Sequence, residues 1–213
     1  QVKFEHISDI IIHPTDSNTV WVSSQGPLWS KGGQRGLFKT TDGGETWDNV
    51  LKTDEWTGVT SLVIDSRNPD KLYAATWQRQ RTLPAYVGTG PGSGIYTTDD
   101  GGTKWRKLTE GLPETDMGKI GLAISAIDPD VVYAAIEVNQ RKGGLYRSAN
   151  QGGSWTKMSD EVGGGTGPHY YQEIFADPHR FDRIYIASNY SKYSDDGGKT
   201  WTPVNVKYKH VDD

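Results

Sequence analysis

A short turn that occurs four times constrains the fold of this chain more than any other feature. Its clearest copy runs from Thr40 to Trp47, and the other copies end at Trp105, Trp155 and Trp201. Each copy reads Ser or Thr, any residue, Asp or Asn, any residue, Gly, two further residues and Trp. The closing tryptophans are 58, 50 and 46 residues apart. A fixed turn at a period near 50 residues predicts a repeat architecture.

Short apolar segments accompany every copy of the turn and predict β-strands. In the second repeat they are Leu62–Ile64, Leu72–Ala75 and Gly94–Tyr96, and a fourth strand begins at the tryptophan. These segments are rich in β-branched and aromatic residues, as strands are. Four strands per repeat is typical of a β-propeller blade, with a solenoid as the structural alternative. We predict an all-β, partial propeller domain over residues 1–213, with antiparallel blades at about 6–53, 57–110, 118–160 and 170–206.

Composition excludes several classes of function. The chain has 213 residues, enough for one sizeable domain, and a net charge of −4, which attracts neither nucleic acid nor an anionic membrane. It has no cysteine, which rules out disulfides, thiolate metal sites and cysteine nucleophiles. No apolar run reaches the roughly 20 residues that a membrane-spanning helix needs. The histidines lack metal-ligand spacing, so we expect no metal and no other cofactor.

The residues of the turn are those that a tight hairpin needs. An Asp side chain accepts hydrogen bonds from nearby backbone N–H groups, and Gly adopts positive φ without strain. The third copy carries Asn150, which keeps the acceptor oxygen but loses the charge. The requirement is therefore geometry and not ionisation. We interpret the following turn residues as structural: Asp42, Trp47, Asp100, Trp105, Asn150, Trp155, Asp196 and Trp201.

This turn is identified as the Asp-box, or BNR repeat, of sialidases, sortilin-type receptors, some xyloglucan-cleaving glycosidases and a photosystem assembly factor. Segments 25–30, 73–79, 90–94 and 170–171 also resemble a bacterial group described as sortilin-like or glycosyl hydrolase BNR proteins. The resemblance runs nearly end to end. It implies the N-terminal part of a larger propeller, secreted or periplasmic, that the rest of a longer chain or partner subunits complete.

The resemblance also implies where a ligand binds. In Asp-box propellers the boxes lie at the periphery, and ligands bind the opposite face, on loops between the second and third strands. Here those loops are long and combine aromatic residues with cations, which suits recognition of sugars or peptides. The candidate ligand-binding residues are Trp29, Arg35, Trp77, Gln78, Arg79, Arg81, Tyr86, Arg141, His169, Tyr170 and Tyr171. The alternative interpretation is that the tryptophans pack between blades and the arginines are solvated.

Three classes of function remain open. The preferred one is binding of a glycan or peptide on the loop face, without catalysis by this chain alone. A glycosidase needs two carboxylates facing across a cleft, and Glu137 and Glu173 are the candidates. A xyloglucanase-like enzyme is favoured over a sialidase, because the first blade has His6-Ile7-Ser8-Asp9 in place of an Arg-Ile-Pro motif. The third class is a structural part of a larger assembly.

Overall fold

The computed structural model describes residues 3–138, 142–162, 173–187 and 191–204. Its strands form four antiparallel sheets of four strands each, together with one two-stranded hairpin. These ranges contain no helix that could span a bilayer. The predicted all-β architecture of four-stranded antiparallel blades is confirmed.

The strands of each sheet follow one another in space as they do in the chain. Blade one contains β1 (Ile7–His13), β2 (Asp16–Ser24), β3 (Gly36–Thr40) and β4 (Asp48–Leu51). Blade two contains β5 (Thr57–Asp65), β6 (Asn68–Gln78), β9 (Gly94–Thr98) and β10 (Arg106–Leu108), and β7 (Gln80–Arg81) and β8 (Tyr86–Val87) form the hairpin. Blade three contains β11 (Met117–Ile124), β12 (Val132–Val138), β13 (Lys142–Ser148) and β14 (Thr156–Ser159). Blade four contains β15 (Glu173–Ala176), β16 (Ile184–Ala187), β17 (Lys192–Ser194) and β18 (Thr202–Pro203).

The four blades share one register, which makes positions in different blades directly comparable. In every blade, one second-strand residue pairs with the Ser or Thr that opens the Asp-box. These pairs are Val20 with Thr40, Leu72 with Thr98, Val132 with Ser148, and Ile184 with Ser194. An aromatic residue follows the second-strand member of each pair. These aromatics are Trp21, Tyr73, Tyr133 and Tyr185.

The hydrophobic core lies in layers between neighbouring blades. The innermost strands β1, β5, β11 and β15 contact one another in succession. Trp21, Leu62 and Leu72 belong to the layer between blades one and two, and two similar layers follow. Complete burial of a side chain such as leucine stabilises the fold by about 1.5–3 kcal/mol. Each blade therefore depends on its neighbours for stability, as expected of a repeat protein.

The first Asp-box shows how the turn is held. Oδ1 of Asp42 accepts the N–H of Thr46 at 2.9 Å and the hydroxyl of Thr40 at 2.6 Å. The N–H of Gly44 donates to Oγ1 of Thr40 at 3.0 Å, and the indole of Trp47 donates to the Gly44 carbonyl. Hydrogen bonds from Thr40 and Thr46 hold the pKa of Asp42 well below its usual range. The side chains of the turn are therefore satisfied from within it, while the N–H of Gly43 donates to the carbonyl of Asn18 in the same blade at 3.0 Å.

The third Asp-box keeps this geometry without a carboxylate. Oδ1 of Asn150 accepts the hydroxyl of Ser148 and the N–H of Ser154, each at 2.9 Å. Gln151 adopts a φ of 56° where the other boxes place glycine, which is an uncommon conformation for a residue with a side chain. Among the described residues, Nε1 of Trp155 has no hydrogen-bond partner. The turn thus tolerates loss of charge, of one glycine and of one indole contact.

Candidate functional site

In all four blades the second strand ends and the third strand begins at the same end of the sheet. In each blade, strand pairing places the start of the first, innermost strand beside the end of the second strand. The pairs are Ile7 with Ser24, Thr57 with Gln78, Met117 with Val138, and Glu173 with Ala187. The boxes follow the third strands at the opposite end of each sheet. We call the end that carries these pairs the loop face.

A cavity of about 510 Å³ lies between the innermost strands of all four blades. Three charged side chains from three blades line it: Asp9 of β1, Lys119 of β11 and Glu173 of β15. Nζ of Lys119 lies 3.7 Å from Oε1 of Glu173. Oδ2 of Asp9 accepts the N–H of Leu62 in blade two at 2.9 Å. We call this the axial cavity, and it brings together groups that are far apart in the sequence.

The charged groups of the axial cavity perturb one another. Burial raises the pKa of Asp9 against the opposing hydrogen bond from Leu62, and the negative charge of Glu173 adds to the rise. Burial lowers the pKa of Lys119, while the carboxylate of Glu173 opposes that change. Titratable groups with shifted pKa values in a concave site are typical of functional sites. The axial cavity is therefore the strongest candidate site in the described residues.

Two of the predicted ligand-binding residues are buried inside the loop face. Trp77 is 1% exposed, and its indole donates to the carbonyl of Gly88 at 2.8 Å. The guanidinium of Arg35 is buried and donates only to backbone carbonyls. These belong to Gln25, Pro27, Ser30 and Gly32. Both side chains therefore support the loops, and Trp77 also lines the axial cavity.

Gln78 and Arg79 also support the loops. Oε1 of Gln78 accepts the N–H of Gly92 at 2.8 Å, which fixes the loop before β9. The guanidinium of Arg79 is buried and lies 5.0 Å from the centre of the Trp77 ring, a cation–π contact. The positive charge of Arg79 also helps to lower the pKa of Lys119 in the wall of the axial cavity.

Three of the predicted residues present exposed surface together. Trp29 is 58% exposed, and the guanidinium of Arg81 lies 4.8 Å from its ring centre. Tyr86 pairs with Arg81 across the β7–β8 hairpin and is also exposed. Burial of part of its side chain raises the pKa of Tyr86 to about 12, so its hydroxyl stays protonated at neutral pH. We call Trp29, Arg81 and Tyr86 the loop platform.

The two carboxylates singled out from the sequence occupy different places. Glu173 lines the axial cavity, whereas Glu137 is buried beside Gly118 and is not among the residues of its wall. The partner of Glu173 across the cavity is therefore Asp9. Four other predicted residues lie outside the described residues. They are Arg141, His169, Tyr170 and Tyr171.

Sequence reasoning missed Lys119 and named Asp9 only in the segment that stands in place of an Arg-Ile-Pro motif. A usable signal was present, because each charge interrupts an otherwise apolar innermost strand: Asp9 in ISDIIIH and Lys119 in MGKIGLAI. A charged residue in such a strand needs a partner or water. In a propeller, the innermost strands surround the axis. A partner side chain from another blade, or water, can reach a charged residue there.

The family model that matches this chain is described as the BNR/Asp-box repeat, and it matches residues 192–203. This segment contains β17, the fourth box and β18. The fourth box thus matches the BNR/Asp-box repeat. The other three boxes repeat its side-chain hydrogen bond from the opening Ser or Thr hydroxyl to the Asp or Asn.

Similar proteins include enzymes that act on xyloglucan. The oligoxyloglucan-reducing end-specific xyloglucanase of Emericella nidulans is 26% identical over 84% of this chain and 27% of that protein. The GH74 xyloglucanase of Xanthomonas campestris has a similar fold, with a TM-score of 0.68, 15% identity and coverage of 91% of this chain and 28% of that one. The Asp-box chain thus spans about a quarter of the length of these relatives.

A protein that was solved with a bound peptide shares the fold as well. The structure of YCF48 bound to D1 peptide has a TM-score of 0.55 and 17% identity, with coverage of 95% of this chain and 54% of that one. At this level of identity the structural similarities show the fold alone. They show that the Asp-box chain has the fold of propeller blades.

Proposed function

We propose that this Asp-box protein binds a glycan on its loop face, with the loop platform and the axial cavity as the two parts of the site. The observation that carries the proposal is the convergence of Asp9, Lys119 and Glu173 in a cavity of about 510 Å³. The xyloglucanase of Emericella nidulans supports a carbohydrate ligand, since its name describes action on oligoxyloglucan.

The two parts of the site suit two features of a sugar. The exposed ring of Trp29 offers an apolar face for a pyranose ring, and Tyr86 adds a hydroxyl beside it. In the axial cavity, the carboxylates of Asp9 and Glu173 accept hydrogen bonds from sugar hydroxyls, while the ammonium of Lys119 donates them. Hydrogen bonds to ionised groups are stronger than those between neutral groups. A glycan that reaches from the platform into the cavity would use both.

Isothermal titration with xyloglucan oligosaccharides and other β-glucan oligosaccharides tests this proposal. We expect Trp29→Ala and Glu173→Gln each to weaken binding at least tenfold, about 1.4 kcal/mol. Leu83→Ala is the matched control, because Leu83 is fully exposed at the tip of the β7–β8 hairpin and belongs to neither part of the site. Absence of binding by the wild-type chain to every glycan tested would refute the proposal.

A peptide is the alternative ligand, and the similarity to YCF48 bound to D1 peptide is the observation that favours it. The same variants tested on a peptide array separate the two ligands. Peptide binding that depends on Trp29, without any glycan binding, would replace the glycan proposal. If the glycan or the peptide binds equally well to the platform and cavity variants, the loop face is not its binding site.

Glycoside hydrolysis is a second candidate function, favoured by the presence of two carboxylates in one cavity. Such hydrolysis uses one carboxyl as general acid and a second carboxylate as base or nucleophile. Burial raises the pKa of Asp9, which suits the acid, and leaves Glu173 for the other role. Asp9 replaces Glu137 in this pairing, because Glu137 does not line the cavity.

Reducing-sugar release from xyloglucan tests the enzymatic candidate separately from binding. Activity lost in both Asp9→Asn and Glu173→Gln, with oligosaccharide binding retained in Asp9→Asn, would support it. Binding without any reducing-sugar release would leave the glycan-binding proposal standing and exclude hydrolysis by this chain alone. Export to the periplasm or cell exterior is part of the same proposal, and cell fractionation of the native protein would test it.

A further inference from the structure

The arginines at the two ends of the blades differ in their partners. At the end that carries the Asp-boxes, four arginines each form an ion pair with an aspartate: Arg67, Arg147, Arg180 and Arg183. Arg106, beside the second box, is exposed to solvent. None of the ion pairs between described residues involves the loop-face arginines Arg35, Arg79 and Arg81. The described part of the loop face therefore carries positive charge that is not paired with a carboxylate.

Arg79 and Arg81 lie on tryptophan rings, whereas Arg35 satisfies its guanidinium with four backbone carbonyls. The guanidinium of Arg79 lies 5.0 Å from the ring centre of Trp77. That of Arg81 lies 4.8 Å from the ring centre of Trp29. The face of an aromatic ring attracts and orients a cation, but it carries no net charge. Both positive charges are therefore held in position without being neutralised.

Arg79 is the buried member of this pair. It is 8% exposed, and its Nη2 atom has no hydrogen-bond partner among the described residues. Burial lowers the pKa of Arg79, and the positive charge of Arg35 adds to that change. Buried charged groups are normally paired with an opposite charge. Asp and Glu are also absent from the sequence of 139–141, 163–172 and 188–190, which lie outside the described residues. Arg79 therefore adds an unneutralised charge to the loop face.

Arg81 is the accessible member of the pair. It lies in β7, is half-buried, and is next to the exposed ring of Trp29. A guanidinium that stacks on an aromatic ring keeps its N–H donors in its own plane, away from the ring. Two of these donors match the two oxygens of a carboxylate, and such a bidentate pair is stronger than a hydrogen bond between neutral groups. Arg81 therefore offers a site for a carboxylate beside the apolar surface of Trp29.

We propose that the glycan bound by the loop platform is acidic, with the carboxylate of a uronic acid paired with Arg81 and its pyranose ring packed on Trp29. This inference rests on the glycan-binding proposal above and names the class of glycan. A uronic acid carries its carboxylate on the pyranose ring, so one sugar residue supplies both the negative charge and the apolar face. The charge of Arg79, two residues earlier in the chain, adds to the attraction because Coulomb interactions are stronger in a partly buried site than in water.

Isothermal titration with a matched pair of ligands tests the charge of the glycan. The pair is an oligogalacturonide and its methyl ester, which share the same sugar rings and differ in the charged carboxylates. We expect the wild-type chain to bind the acid at least about tenfold more tightly than the ester, as a hydrogen-bonded pair of opposite charges requires. Added salt should reduce this preference, because it screens the attraction between exposed charges.

Substitution of Arg81 tests where the carboxylate binds. Arg81→Gln should bind the acid and the ester with equal affinity, and Arg81→Lys should keep part of the preference because it keeps the charge without the planar donors. Arg106→Gln is the matched control, because it removes the same charge from an exposed arginine at the opposite end of the blades. It should leave the affinity for the acid within about twofold of wild type. Thermal melts of all three variants show whether the chain remains folded.

The outcomes separate this inference from the glycan proposal. Equal affinity for acid and ester, or a preference that Arg81→Gln leaves unchanged, would overturn the inference. The glycan proposal would then stand if neutral oligosaccharides bind in a manner that depends on Trp29. Absence of binding by every acidic, esterified and neutral oligosaccharide would refute both. Binding of acidic peptides through Arg81, without binding of any oligogalacturonide, would overturn the inference in favour of the peptide alternative.

Discussion

The Asp-boxes and the loop face solve the same problem, placement of polar groups in an all-β fold, in opposite ways. Each box is held by side chains within an eight-residue turn, as Thr40, Asp42 and Thr46 show, and by one backbone hydrogen bond to its own blade. The axial cavity instead combines Asp9, Lys119 and Glu173 from three different blades. The box repeats four times because it is local, whereas the cavity occurs once because it requires the blades to be assembled.

This difference explains where chemistry can arise. A side chain already saturated by its own turn, such as Asp42, has a depressed pKa and a structural task. In the axial cavity, burial and neighbouring charge raise the pKa of Asp9. A group whose charged form is disfavoured can exchange protons or hydrogen bonds with a ligand. The peripheral turns therefore hold the scaffold, and the loop face is where binding is proposed.

The largest expected effect is the difference in stability loss between Trp77→Ala and Trp29→Ala on the loop face. Trp77→Ala should lower the free energy of unfolding by about 3–5 kcal/mol, because it removes a buried aromatic side chain. Trp29→Ala should change it by less than about 0.5 kcal/mol, because Trp29 is exposed. Denaturant unfolding of both variants measures the difference. Equal losses would show that the loop platform is part of the core.

The next largest effect on the free energy of unfolding is expected in the second Asp-box, at Thr98. The Thr98 hydroxyl accepts the N–H of Gly102 at 3.1 Å in a buried environment. Thr98→Val keeps the shape and leaves that N–H unsatisfied, so it should cost about 1–3 kcal/mol. Thr103→Val, at an exposed position of the same turn, is the matched control. Similar stabilities for the two variants in urea unfolding would contradict the structural assignment of the box.

The fourth box should contribute to acid sensitivity. Burial opposes the effect, but hydrogen bonds from Thr200 and Ser194 lower the pKa of Asp196 to about 2. A folded-state pKa below the unfolded value stabilises the protein above about pH 4, and that contribution is lost as pH falls towards 2. Asp196→Asn should therefore lack this part of the pH dependence. Urea midpoints between pH 6 and pH 2 measure it, and parallel curves for variant and wild type would contradict it.

The smallest effect is expected in the third Asp-box, which already carries Asn150 where the other boxes carry Asp. Asn150→Asp should alter the free energy of unfolding at pH 7 by less than about 0.5 kcal/mol, because Asn150 already makes the hydrogen bonds of the turn. It should also introduce the acid sensitivity expected for Asp196. A large change at pH 7 would show that charge, and not geometry, distinguishes the third box from the others.

The fold was predictable because its signals are local. The box residues and the alternating apolar segments each describe a turn or strand within about ten residues, and their repetition implies blades. The candidate site was predictable only in part. Trp29 and Tyr86 are exposed on the loop face and Arg81 is half-buried, whereas Trp77, of the same residue type as Trp29, is buried. Nothing local distinguishes the two tryptophans, because burial depends on the loop that returns over Trp77.

The sequence by itself determined the architecture of this protein: four blades, their order, and a peripheral turn whose hydrogen bonds survive the change to Asn150. Only the tertiary structure decided which charges meet and which aromatic rings stay exposed. The physical reason is the range of the interactions. Turns and strand patterns depend on neighbours in the chain, while the axial cavity depends on how separate blades pack together.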